Sequence, residues 1–187
     1  TSAREEGDKF IINGKKSMVL NAESANKLIV VTRTSGGQTE EKGISLFIVD
    51  SNADGVVREN FPTVDGLRAS EISFENVKVS KEDMVSEKDE GFEILQAIAN
   101  DAILALAAEA VGAMEVLYKD TVEYTQQREQ FDHALSDFQV LQHRMVDMFM
   151  EYEQCKSLLF RATMETVQDP KMAQRTIHAL KHLIGKS

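Results

Sequence analysis

Near residue 90 the sequence changes from short β-branched runs to long helical patterns, and one packed layer cannot serve both. Residues 1–90 hold seven of the ten glycines. Phe10-Ile11-Ile12 is followed by Asn13-Gly14, a strong short hairpin signal, and then by Lys15 to Leu20. Leu28 to Thr34 is a run ending at Ser35-Gly36-Gly37, and Ile44 to Val49 is closed by Asp50-Ser51-Asn52-Ala53-Asp54-Gly55. Val56-Val57, Leu67 to Phe74 and Val77 to Val79 complete a set of short strands spaced by turn residues. Such a set predicts an antiparallel sandwich or barrel.

Residues 91–187 contain three glycines and one proline, Pro170. From Gly91 to about Arg128, Ile94, Ile98, Leu104, Val111, Met114, Leu117 and Val122 recur at helical spacing. In the second helix Phe138, Leu141, Met145, Met148, Tyr152, Cys155, Leu159 and Ala162 alternate by three and four, a seam for near-antiparallel helix packing. Asp169-Pro170 supplies an N-cap and first-turn pair for a third helix striped by Ala173, Ile177, Leu180 and Ile184. The expected fold is an α+β multidomain fragment. Its β-domain (1–90), an antiparallel sandwich or barrel, is followed by a helical domain (91–187), a partial four-helix bundle. Three striped helices carry more apolar surface than such a partial core covers, so an oligomer is expected.

The chain of 187 residues has 21 Lys+Arg against 31 Asp+Glu, a formal net charge of −10. Neither half hides a basic patch: 12 basic and 17 acidic groups precede residue 91, and 9 and 14 follow. A phosphate backbone needs the reverse balance, so no nucleic-acid partner is expected. Cys155 stands alone, which leaves no internal disulfide and favours a reducing compartment. The most apolar stretch, Ala102 to Met114, is short for a bilayer and broken by Glu109, so no membrane span is expected. The ends, at Thr1 and Ser187, look cut rather than finished.

Dinucleotide, phosphate-loop, zinc-protease and hydrolase signatures are absent from the sequence. His178 and His182 share a helix face without a third ligand, so no metal is assigned. Asp101 and Glu109, eight apart on an otherwise apolar helix, read as a water-facing edge or as buried carboxylates. Arg128 with Gln130 at a helix junction reads as a C-terminal charge or as a grip on a phosphate-bearing ligand.

The order of pieces adds information. Phe10-Ile11-Ile12-Asn13-Gly14-Lys15-Lys16 leads in, Gly66-Leu67-Arg68-Ala69-Ser70 and Ile72 to Val79 lead out, and Gly91-Phe92 forms a joint. A helix follows, then Arg128-Glu129-Gln130-Phe131 and Phe138-Gln139. Over its whole length the chain resembles the acyl-CoA dehydrogenase family, its middle β-domain and the first part of its carboxy-terminal helical domain. Ala108-Glu109-Ala110-Val111-Gly112 and Arg128 to Phe131 look most like the branch of pimeloyl-CoA dehydrogenase small subunits.

The resemblance implies an FAD flavoenzyme of fatty acid metabolism that dehydrogenates an acyl-CoA and hands electrons to an electron-transfer flavoprotein. It implies FAD contacts at Arg128, Gln130, Phe131, Phe138 and Gln139, and at Val19 and Leu20, where Met18-Val19-Leu20 replaces the family's usual Trp-Ile-Thr. Asp132 stands where glycine is usual. Asn100 and Ile103 fall where the family meets the CoA portion, and Ala102 where some members carry the catalytic glutamate. No catalytic base is therefore assigned within the chain, Asp101 being a minor candidate. A homo-oligomer, or a hetero-oligomer with a homologous subunit, is implied, in a bacterial cytoplasm or a mitochondrial matrix. A non-catalytic structural or regulatory subunit is the alternative.

Overall fold

The computed structural model describes residues 1–187. It divides into two compact units, Thr1–Gln96 and Ala97–Ser187. The first contains a six-stranded sheet of β1 (Ser2–Glu6), β2 (Lys9–Leu20), β3 (Lys27–Arg33), β4 (Ile44–Asp50), β5 (Val56–Pro62) and β6 (Arg68–Ser80), in the order β4-β3-β1-β2-β6-β5. Every pairing is antiparallel except β1 with β3, which meet in parallel at Ser2 and Arg33. Phe10, Ile12, Val30, Phe47, Val49, Ile72, Phe74 and Val77 belong to one buried cluster, so the curled sheet encloses a single core. Phe10 and Phe47 anchor it with ring centroids 4.9 Å apart.

Asn13-Gly14 is not the predicted hairpin; both residues lie inside β2. The hairpin is one turn earlier, where Gly7 at φ +62 and Asp8 join β1 to β2 across the Glu6–Lys9 pair. A Gly-Asp pair between two runs is also a hairpin signal. Asn13 instead meets a bulge in β6. The β2–β6 register passes from Ile12–Val77 to Gly14–Phe74, and Asn76 in the extra length sits at φ +54. The Asn13 amide oxygen accepts from the Asn76 backbone N–H at 2.9 Å, and its amide nitrogen donates to the Asn76 side chain at 3.3 Å. Gly14 is required there, because a Cβ would lie 2.6 Å from the Thr1 Cα.

The helices are α1 (Gly91–Gln127), α2 (Gln139–Gln168) and α3 (Pro170–Lys186). Gly91 starts α1 where a Cβ would press on the Ile44 carbonyl at 3.0 Å. Each predicted seam residue of α2 is buried or half-buried, and Tyr152, Cys155 and Ala162 are fully so. The Asp169 carboxylate caps α3 by accepting from the Lys171 and Met172 backbone N–H groups, with Pro170 in the first turn. Ala173, Ile177 and Leu180 join Ala107 and Ala162 in the helical core.

The α1 stripe departs from expectation. Ile94, Ile98 and Leu117 are exposed, while Ile103, Leu104, Ala107, Val111 and Met114 face the core. A helix apolar on all sides has no face that spacing can single out. Its length also departs from the bilayer argument: α1 contains an 18-residue window of mean hydropathy 1.5, long and apolar enough to cross a membrane by length and composition alone. The core helix of a soluble protein passes the same test.

Candidate functional site

In the helical unit, five predicted site residues come together between α1 and α2. Beyond α1 the chain makes a small ribbon of β7 (Glu129–Gln130) and β8 (His133–Ala134), closed by the Leu135 N–H donating to the Arg128 carbonyl at 2.8 Å. The ribbon turns through Phe131 at φ +58 and Asp132 at φ +63. Two successive positive φ values define the tight type I′ turn that matches strand twist. The sequence concealed it, because a bulky aromatic residue rarely takes that conformation. The glycine preference at position 132 has the same physical origin, and Asp is among the few other residues that tolerate it.

The turn holds Phe131 out at 85% exposure, where its ring meets that of half-buried Phe138 edge-on. Phe138 is the N-cap of α2 and offers no side-chain cap. The first-turn N–H groups of α2, beginning with exposed Gln139, therefore receive no side-chain acceptor from the cap residue. The Arg128 side chain is exposed and forms no ion pair or hydrogen bond within the chain. Gln130 donates its side-chain amide to the Glu129 carbonyl at 2.8 Å, and His133 stands 4.0 Å from the Asp137 carboxylate. A free guanidinium, an uncapped helix start and an exposed aromatic ring form a surface suited to an anionic, aromatic ligand.

On α1 of the same unit the other candidates have different surroundings. Asn100 is buried, Asp101 is exposed, and Ile103 packs against the core of Ala107, Ala162, Ala173, Ile177 and Leu180. Glu109 is exposed, as the water-facing reading predicts.

In the β-unit, Val19 and Leu20 end β2 opposite Ser70 and Ala69. Val19 packs on the core, whereas Met18 and Leu20 are exposed. A bulge produces this arrangement: Lys16 pairs with Ile72 and Val19 with Ser70, so Ser17 and Met18 together oppose Glu71. Beside it a cleft of about 360 Å³ opens toward β3, lined by Met18, Leu20, Ala22, Leu28, Ile72 and Phe74 among others. Lys16 also lines the cleft, and burial pushes its ammonium below the ordinary lysine range. With Met and Leu at its exposed positions, the Met18–Leu20 segment itself offers a ligand only backbone groups and apolar surface.

Residues 1–77 match the family description "Acyl-CoA dehydrogenase, middle domain", and residues 89–186 match "Acyl-CoA dehydrogenase, C-terminal domain". The chain is 34% identical over 165 residues to a 3-(aryl)acrylate reductase of Clostridium sporogenes, covering 87% of this chain and 44% of that protein. It is 32% identical over 165 residues to the mitochondrial short/branched chain specific acyl-CoA dehydrogenase of Bos taurus, covering 87% and 38%. Among solved structures, PigA with FAD and proline superposes with a TM-score of 0.90 at 28% identity, covering 99% of this chain and 49% of that one. The chain thus spans less than half the length of these relatives. The chain belongs to the acyl-CoA dehydrogenase family.

Proposed function

We propose that this chain forms the middle β-unit and helical unit of an FAD-dependent acyl-CoA dehydrogenase. The observation that carries the reading is the Arg128 end of the helical unit: an unpaired cation and the uncapped start of α2 beside an exposed phenylalanine. That set suits the diphosphate and aromatic portions of a dinucleotide flavin. Arg128 and the α2 backbone bind and orient the diphosphate; Gln130, Phe131, Phe138 and Gln139 line its position. Val19 and Leu20 offer backbone and apolar contact to the ring system. FAD, when bound, supplies the acceptor for the substrate's β-hydride.

The reaction is α,β-dehydrogenation of an acyl-CoA thioester, with loss of the α-proton to a base and of the β-hydrogen as hydride. Electrons then pass to an electron-transfer flavoprotein, a partner that rests on the family resemblance. Asn100 and Ile103 are proposed to lie toward the CoA portion, Ile103 giving shape and no charge. No base is proposed among these 187 residues beyond exposed Asp101 as a minor candidate. The bacterial cytoplasm or mitochondrial matrix is the proposed setting. The test is to purify the full-length protein, assay bound FAD by its visible spectrum and add acyl-CoA. A yellow protein bleached by acyl-CoA supports the reading; a colourless protein that takes up no added FAD overturns it.

A second reading, a non-catalytic subunit paired with an active homologue, is favoured by Met18 and Leu20, which offer no side-chain hydrogen bond. It also accords with the likeness to the pimeloyl-CoA dehydrogenase small-subunit branch. It predicts bleaching only after the partner is added, and robust bleaching of the single purified polypeptide excludes it.

A further inference from the structure

We propose that Glu71 is a positioning residue: its carboxylate locks the β2 bulge and thereby selects which side chains the Met18–Leu20 segment presents. Met18 lies at φ +53. A residue with a Cβ is strained there and persists only where its surroundings over-determine it. The Glu71 carboxylate receives the Ser17 hydroxyl at 2.8 Å on one oxygen and the Met18 backbone N–H at 3.4 Å on the other. It thus grips both residues of the bulge from the facing strand.

Alternation along β2 shows what the grip decides. Phe10 and Ile12 point into the core. Uninterrupted alternation would carry Met18 and Leu20 to that same face and Val19 to the outside. The bulge inverts the pattern: Val19 packs on the core, and Met18 and Leu20 are 57% and 59% exposed. On the other side of Glu71, the residue directly opposite in β5 is Glu59. Like charges across a ladder are unfavourable, so cross-strand pairing with β5 gives no reason for a carboxylate at position 71. The hold on Ser17 and Met18 does.

The effect on flavin retention rests on the function proposed above; the effect on the bulge does not. The experiment measures amide hydrogen exchange across residues 17–20, and FAD affinity, in the full-length wild-type protein and its Glu71→Ala, Glu71→Gln and Ser17→Ala variants. Glu71→Ala is expected to speed exchange at Met18 by about tenfold, the scale of one hydrogen bond to a charged group. Exchange in β3 and β4 stays unchanged, and FAD affinity falls by a similar factor. Glu71→Gln restores part of both, since its amide oxygen still accepts from Met18. If Glu71→Ala does not fold, Ser17→Ala, which removes one of the two contacts, gives the same test at reduced amplitude. Wild-type exchange at Met18 in all the variants overturns the proposal. Faster exchange with unchanged FAD affinity upholds Glu71 as the lock and overturns the placement of flavin on Met18–Leu20.

Discussion

The rings of Phe131 and Phe138 meet edge to face, with centroids 6.4 Å apart and planes at 83°. One ring sits at the tip of a two-residue turn and the other at the N-cap of α2, so the contact ties the ribbon to the helix start. Arg128 is fixed at the base of that ribbon through its carbonyl, while its side chain stays free. The backbone is committed to structure and the guanidinium to solvent or ligand.

Arg128→Ala therefore separates binding from stability. As an exposed substitution it is expected to change unfolding free energy by no more than about 0.5 kcal/mol. A hydrogen bond to a charged group contributes roughly 1.5–3 kcal/mol, so FAD affinity should fall about 10- to 100-fold. Flavin fluorescence titration and a thermal melt of the full-length protein check the two halves. Unchanged FAD affinity would remove Arg128 from the cofactor site.

Asp132→Gly tests the adjoining turn. Asp132 sits at φ +63, where glycine is unstrained. The gain is expected to be about 0.5 kcal/mol, below the roughly 1–2 kcal/mol of an ordinary residue because Asp tolerates this region. Removing a carboxylate from the turn that follows Arg128 should also tighten FAD binding. Urea denaturation with flavin titration reads both, and looser FAD binding would contradict the charge argument.

Legibility in the sequence followed how strongly each local pattern excludes alternatives. The α2 seam and the Asp169-Pro170 start were readable because three-four spacing and an N-cap pair each have a single structural meaning. Asn13-Gly14 misled because its signal is local, whereas the bulge it faces is set by Asn76, 63 residues away. The inward face of α1 was unreadable because apolar residues surround the helix. Among the proposed site residues, Arg128 with Gln130 stood out as a cation and an amide at a helix junction, whereas Phe138 and Gln139 entered only through the family resemblance. Glu71 carried no signal, since its role exists only in the register between β2 and β6.

Gly55→Ala should be among the most damaging single-methyl additions in the β-unit. Gly55 lies at φ +88, and a Cβ there would stand 2.2 Å from the Glu75 carbonyl oxygen, a backbone atom. The same carbonyl–amide neighbours are joined by the Glu75 N–H donating to the Gly55 carbonyl at 2.9 Å, so neither strand can withdraw without losing that bond. Strain and overpacking together are expected to cost about 2–4 kcal/mol. A urea midpoint close to wild type would show that the β4–β5 connection at Gly55 yields more easily than its geometry indicates.

Glu5 links the acid limb of stability to one cluster. Its carboxylate pairs with the Lys88 ammonium at 2.6 Å and the Lys81 ammonium at 2.9 Å. Hydrogen bonds from Lys88 and then Lys81, with their positive charges, hold its pKa at about 2, below the ordinary 4.5. A folded-state pKa depressed below the unfolded value gives stability that is fully present above about pH 4.5 and is lost as pH falls toward 2. Glu5→Gln removes the titration, so the variant should be less stable than wild type at pH 6, with the gap closing through that window. Because the cluster is exposed, 1 M salt should narrow the gap at pH 6. Denaturation midpoints from pH 2 to 7 decide it: parallel curves for wild type and variant would show that the cluster contributes nothing to folding.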